Sequence, residues 1–227
     1  MIRIIRQPEF RVHCVVALLL CTSVSLMGCR RFQQRCDTVE TAIPVQPTYG
    51  TPANILISQY FHQLKPRRIV IVTPVSRTHL LPEQHRFADS LAQSLRHVGF
   101  AEAVLAPSCK CDTEAIRKGK FDLQQLVDLS QDYSADAVLY CDVVSFSSYS
   151  PLQASISMTL VDAGESIAIM AIDGNWDLRN AETQNSYMNF LGANPTDTDF
   201  QRGIKFQSPS EFLHFVSIDV ARFMSDQ

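Results

Sequence analysis

Hydrophobic and polar positions fall into three regimes along the chain. In the first, "RRIVIVTPV" at residues 67–75 is an unbroken β-branched run closed by Pro74, the pattern of a strand covered on both faces. "PEQHRFADSLAQSLRHVGF" switches to a helical period. Phe87, Leu91, Leu95 and Val98 form a stripe, Pro82 suits a first turn and Gly99 suits the end. "FAEAVLAP" predicts a second strand. "FDLQQLVDLSQDY" predicts a helix with Leu123, Leu126 and Val127 on one side, and "ADAVLYCDVVSFSSY" a third strand. The second regime begins at Leu152. Leu152, Ala154, Ile156, Met158 and Leu160 alternate with Gln153, Ser155, Ser157 and Thr159, which predicts a half-exposed antiparallel strand. "DAGES" reads as a turn and "IAIMAIDGNWD" as a fifth strand.

Two flanking stretches complete the body. "TPANILISQYFHQL" spaces Ile55, Leu56, Tyr60 and Leu64 as a short helix would. Residues 181–207 are polar with scattered aromatics and read as a long irregular segment. Ser208-Pro209-Ser210-Glu211 is then a capping box, opening a helix that carries Phe212, Val216, Val220 and Phe223. The predicted order is helix, βα, βα, three strands, helix. This is an α/β (α+β) fold: a single mixed β-sheet of about five strands, βαβα followed by an antiparallel three-strand meander, with helices packed on it. No solenoid-period repeat is visible, and residues 51–227 are expected to form one globular domain.

The third regime is the N-terminus. Arg3, Arg6 and Arg11 precede a 17-residue apolar run from Val12 to Gly28, which ends on small residues. A basic start, a short apolar stretch and small residues before a cut form a secretory signal. The run falls short of the about 20 predominantly apolar residues that a spanning helix needs. Leu26-Met27-Gly28-Cys29 resembles the lipobox of bacterial lipoproteins, though Met27 is larger than the residue usual there. The resemblance implies lipidation at Cys29, with a diacylglycerol on its thiol, cleavage before it, and acylation (palmitate) of the new amino group. Residues 1–28 are then a signal peptide. Residues 29–50, with Pro44, Pro47 and Gly50, are the lipidated cysteine and a flexible tether of at most ~70 Å. Arg30 rather than Asp follows the anchor, which by the enteric sorting rule points to the outer membrane, with the domain facing the periplasm.

"RRIVIVTPV", "FADSLAQSLRHVGF", "DLSQDYSADAVLYCDV" and "ISMTLVDAGESI" together resemble a group of bacterial envelope proteins. The group includes the curli secretion-channel lipoprotein, the lipoprotein activators of penicillin-binding proteins, and the N-terminal domain of the translocation protein TolB. The resemblance covers about residues 66–178 and is carried mainly by structural motifs. A curli-type channel contributes long amphipathic hairpins to a pore. Here only 183–207 is long enough, and it lacks sustained alternation.

Composition narrows the chemistry. A net charge of -3 gives no basic surplus for nucleic acid, and removing the +2 signal leaves -5. Of seven cysteines, Cys14 and Cys21 leave with the signal and Cys141 falls in an apolar strand. Cys36 with Cys109 or Cys111 is the disulfide expected in an oxidising compartment. Cys109-Lys110-Cys111 lacks the second ligand pair of a structural zinc site. His85 and Asp89 share a helix face with His79 nearby, an acid-base or metal set whose plainer reading is a solvated surface. Asp142, Asp162 and Asp173 lie near strand ends, where carboxylates can meet. No G-x-S-x-G elbow, G-x-G-x-x-G or phosphate loop occurs. Trp176, Tyr187, Phe190, Phe200 and Phe206 surround the irregular segment and form a possible partner surface. The expected function is non-catalytic: a membrane-anchored envelope lipoprotein that binds, assembles or regulates through an envelope protein partner or self-association. No cofactor, metal or small-molecule substrate is expected. The alternatives are a subunit of a ring-forming secretion or transport complex, and an envelope hydrolase.

Overall fold

Long apolar strands need cover, and the chain supplies it asymmetrically. The computed structural model describes residues 43–44, 53–75, 80–192 and 199–227. The chain divides into two units, Met1–Thr41 and Ala42–Gln227, and all of the described residues lie in the second. The predicted signal, Cys29, Cys36, His79 and the side chain of Phe200 lie outside the described residues.

One mixed sheet runs through the second unit. Its strands are β1 (Ile43–Pro44), β2 (Ala53–Ile57), β3 (Arg68–Val72), β4 (Glu102–Leu105), β5 (Ala137–Ser147), β6 (Gln153–Asp162) and β7 (Ile167–Asp177), in the spatial order β1-β2-β7-β6-β5-β3-β4. β4, β3 and β5 are parallel, and every other pairing is antiparallel. The βαβα-then-meander reading is therefore the observed topology, with two strands added at one edge. β1 is only a two-residue pairing. β2 lies in the stretch expected to be a helix. There Ile55 is buried while Asn54 and Leu56 are exposed, a period of two that pairing with β7 makes decisive.

Among the described residues six helices follow in order: α1 (Leu81–His97), α2 (Thr113–Arg117), α3 (Leu123–Tyr133), α4 (Ala181–Gly192), α5 (Asp199–Phe206) and α6 (Pro209–Ser225). α1 starts with Pro82 in its first turn and stops at Gly99, whose φ of +72° suits a residue without a Cβ. The Asp122 carboxylate caps α3 by accepting from Gln124 and Gln125. Ser208 caps α6 by accepting from the Glu211 backbone, as its motif predicts. The segment expected to be irregular holds α4 and α5. Thr183, Tyr187 and Leu191 are buried four residues apart, a helical stripe hidden because one of its members is polar.

α1 and α6 cover one sheet face, and their residues share its large core: Phe87, Leu91, Leu95, Phe212, Val216 and Val220 meet Ile69, Leu139, Ile156 and Ile172. On the opposite face a smaller cluster joins Ile116 of α2 and Leu126 of α3 to Val70, Val72, Val138, Tyr140 and Val161. That second cover is confined to β3, β5 and the end of β6. Among the described residues, no helix caps this face of β7 and β2.

Candidate functional site

The uncovered face follows from the alternation of β6. Ala154, Ile156, Met158 and Leu160 enter the large core, so Gln153, Ser155, Ser157 and Thr159 point the other way, Gln153 and Ser155 half-exposed and Ser157 and Thr159 buried beside α2. Register then builds a row. Asp142 of β5 sits opposite Ser157, Ser157 opposite Asp173 of β7, and Asp173 opposite Asn54 of β2. Asp142 and Asp173 are thus two strand spacings apart, about 10 Å between backbones. A neighbouring row contains Ser145, Ser155 and Asn175. The Ser155 hydroxyl donates to Asn175 Oδ1 at 2.9 Å, and Gln153 donates to the same oxygen at 3.3 Å.

Two longer side chains reach into the row. Arg117 of α2 donates through Nε to Ser157 Oγ at 3.1 Å. Gln84, fully buried at the start of α1, donates through Nε2 to Asp142 Oδ1 at 3.0 Å. Donation to a carboxylate fixes the orientation of the Gln84 amide, and its Oε1 is left buried without a hydrogen-bond partner. Between Pro74, Arg117, Tyr140, Asp142, Ser157 and Thr159 lies a small, half-open cleft. It lies past the carboxyl end of β3, over β5 and β6 and beside α2. Its enclosed space of about 10 Å³ holds little more than one water, so it is no small-molecule pocket.

Tyr140 forms one wall of the cleft and stacks on Phe121 with ring centroids 6.2 Å apart. Burial, and then the charge of Asp122, push its phenol up to about 12 from an ordinary 10.0. The folded state therefore holds the proton more tightly than the unfolded state. This contribution is complete below pH 10, and it is lost as pH rises through about 12. Denaturation midpoints between those values are expected to fall more steeply for the wild type than for Tyr140→Phe. The difference should amount to roughly 2 kcal/mol. Parallel curves would remove the electrostatic role given to Tyr140.

The other candidates separate on geometry. Asp162 is buried at the far end of β6, where it accepts from the Glu165 backbone at 2.7 Å and pins a turn. His85 and Asp89 are exposed on α1, and Asp89 accepts from Gln93 at 2.9 Å. No group of three or more potential metal ligands occurs among the described residues. A serine–histidine contact with no signal in the sequence joins α1 to α6: Ser90 Oγ lies 2.8 Å from His214 Nδ1 and 2.6 Å from Ser217 Oγ. Ser94 and Ser217 beside it are buried between the helices, so these hydroxyls cross-link two packed elements and line no cleft.

Four of the five aromatics expected to form a partner surface instead pack toward the core, and the side chain of Phe200 lies outside the described residues. Tyr187 is fully buried and Trp176 is 2% exposed. Phe190 and Phe206 are half-buried against the same core. The polar residues between them mask how far α4 folds back onto α6. The cysteine pairing also differs from expectation: Cys109 is bonded to Cys111, with Cα atoms 5.3 Å apart, so neither pairs with Cys36. The chain turns sharply after β4, and Cys109 is tied by its backbone to Thr73 and Val75, which brings the two thiols together. Cys141 is a buried free thiol, raised above its ordinary range by burial and by Asp142.

Comparison with known proteins gives structural likeness only. No family model matches the chain, and no curated protein does. The chain is similar to the PelC dodecamer from Paraburkholderia phytofirmans at 13% identity and a TM-score of 0.39, covering 71% of this chain and 97% of that one. It is similar to lipoprotein GNA1162 from Neisseria meningitidis at 19% identity and a TM-score of 0.32, covering 58% and 100%. It is also similar to the hypothetical protein CT253 from Chlamydia trachomatis at 15% identity and a TM-score of 0.36, covering 71% and 99%.

Proposed function

We propose that the protein is a non-catalytic lipoprotein of the bacterial envelope, anchored through Cys29, and that it binds an envelope protein partner through the uncovered face of β6, β7 and β2. The observation that carries this reading is the exposed pair Asp173–Asn54 beside the cross-strand row Ser145–Ser155–Asn175, an ordered hydrogen-bonding surface on a rigid sheet with only a shallow cleft beside it. Strand positions hold such groups more precisely than loops do. The lipobox-like Leu26-Met27-Gly28-Cys29 supplies the anchor. Several acyl chains on one residue would hold the domain at a membrane surface, since each buried methylene adds about 0.8 kcal/mol. Among the described residues, no helix is long and apolar enough to cross a membrane.

Two measurements test the two halves. Intact mass and fractionation should find the native chain starting at Cys29, carrying acyl mass and sedimenting with membranes. Cys29→Ala should carry none and leave the pellet. A native chain that begins at Met1 without added mass ends the anchor reading. Asp173→Arg changes an exposed side chain and should leave the denaturation midpoint unmoved, while abolishing the cross-linked product formed in intact envelopes. If the product survives that change, the partner engages another surface.

A further inference from the structure

We propose that Cys109–Cys111 is an exchangeable disulfide: a site where a dithiol reductant trades electrons with the chain, not a bond that holds the fold. The two cysteines are separated by one residue, Lys110. Closing so short a loop removes little freedom from the unfolded chain, because the entropic effect of a cross-link grows with loop length. The surroundings hold their shape without it. Cys109 donates its backbone N–H to Thr73 O at 3.1 Å and accepts from Val75 N–H at 2.7 Å, and neither bond involves sulfur. Ile116 and Leu126 anchor α2 and α3 in the smaller core, and Cys109 and Cys111 pack only at its partly buried edge.

The site is also reachable and polarised. Both cysteines are half-buried, not enclosed, and Lys110 between them is exposed. An ammonium at that point attracts an incoming thiolate. Cys111 Sγ lies 3.4 Å from Gln125 Nε2. A sulfur in a disulfide carries no proton, so the amide is the donor, and its N–H favours a thiolate at Cys111. That makes Cys111 the leaving sulfur. One thiolate of the dithiol attacks Cys109 Sγ, the Cys109–Cys111 bond breaks, and its electron pair leaves on Cys111. The second thiol, deprotonated, attacks the reductant's own sulfur in the mixed disulfide and expels Cys109 as a thiolate. The chain gains two electrons and two protons, and the dithiol loses the same to become a disulfide. Cys141 takes no part: it is buried in the other core, and it is the free cysteine among the described residues.

The full chain, folded, is treated with dithiothreitol, quenched with a maleimide and digested with trypsin. Cleavage after Lys110 leaves peptides 97–110 and 111–117 joined only while the bond is intact. The joined pair is expected to give way to two alkylated peptides with the emission of Trp176 unchanged, and to return when oxidised glutathione replaces the reductant. Lys110→Glu should slow the reduction about threefold; there the uncut 97–117 peptide is scored by the mass of two added maleimides. The proposal fails if the joined pair persists until denaturant is added. It fails equally if the rate ignores Lys110→Glu, or if Cys109 or Cys111 is recovered joined to Cys36.

Discussion

Tyr187→Ala is expected to cost about 3–5 kcal/mol of folding free energy, a large share of the roughly 5–15 kcal/mol that holds a domain folded. The ring is fully buried and has four aromatic neighbours: Phe190, Phe206, Phe212 and Phe215, with centroids 5.2–6.2 Å away. Its removal opens a cavity that side chains from α4, α5 and α6 border together, so no single helix can close it. The hydroxyl adds a smaller part. It donates to the Lys205 carbonyl at 2.8 Å, which ties α4 to the end of α5. Tyr187→Phe should therefore lose only about 1 kcal/mol. Urea denaturation measures both, and the midpoint should shift at nearly constant slope. If Tyr187→Ala keeps the wild-type midpoint and instead loses an envelope cross-link, the ring is a partner contact after all.

The position of that ring shows what the sequence can and cannot carry. An aromatic in a polar segment is visible at once. Whether it points outward depends on a helix whose buried stripe includes Thr183, and periodicity counted on apolar residues passes over it. β2 is misread for the opposite reason: "ANILI" carries spacings compatible with a helix, and only the partner strand β7, far later in the chain, selects the extended form. By contrast, β3, β5, β6, α1 and α6 are legible, because each combines a clean period with a capping or terminating residue. The candidate row is half legible. Alternation in β6 puts Ser155, Ser157 and Thr159 on one face, and Asp142 and Asp173 stand out as carboxylates. Their alignment across Ser157 is a matter of register, set by hairpin turns and bulges at Val143/Ser145 and Leu160/Val161 that no local pattern announces. Arg117 and Gln84 arrive from helices distant in sequence and carry no signal at all.

The strand glycine Gly174 carries the second large effect. A methyl built on it would stand 2.2 and 2.3 Å from two ring carbons of Trp176, far inside any tolerated contact. Residues 174 and 176 share the core face of β7, so the indole folds back over the bare Cα of its neighbour. Nor can the ring simply swing away. Trp176 is 2% exposed, and its indole N–H donates to the half-buried Asp219 of α6 at 2.9 Å, so displacement breaks that bond. Gly174→Ala is therefore expected to cost at least the 1–3 kcal/mol usual for overpacking, and more if the bond to Asp219 is lost. Because Trp176 is the chain's single tryptophan, its fluorescence reports on the displacement directly: emission should shift to the red as the midpoint falls. Trp176→Leu provides the control. Alone it destabilises by opening space, but in its presence Gly174→Ala should cost little, giving a coupling of about 1 kcal/mol or more in a double-mutant cycle. Additive losses, or an unchanged emission maximum in Gly174→Ala, would mean that the indole does not occupy the place of the missing side chain.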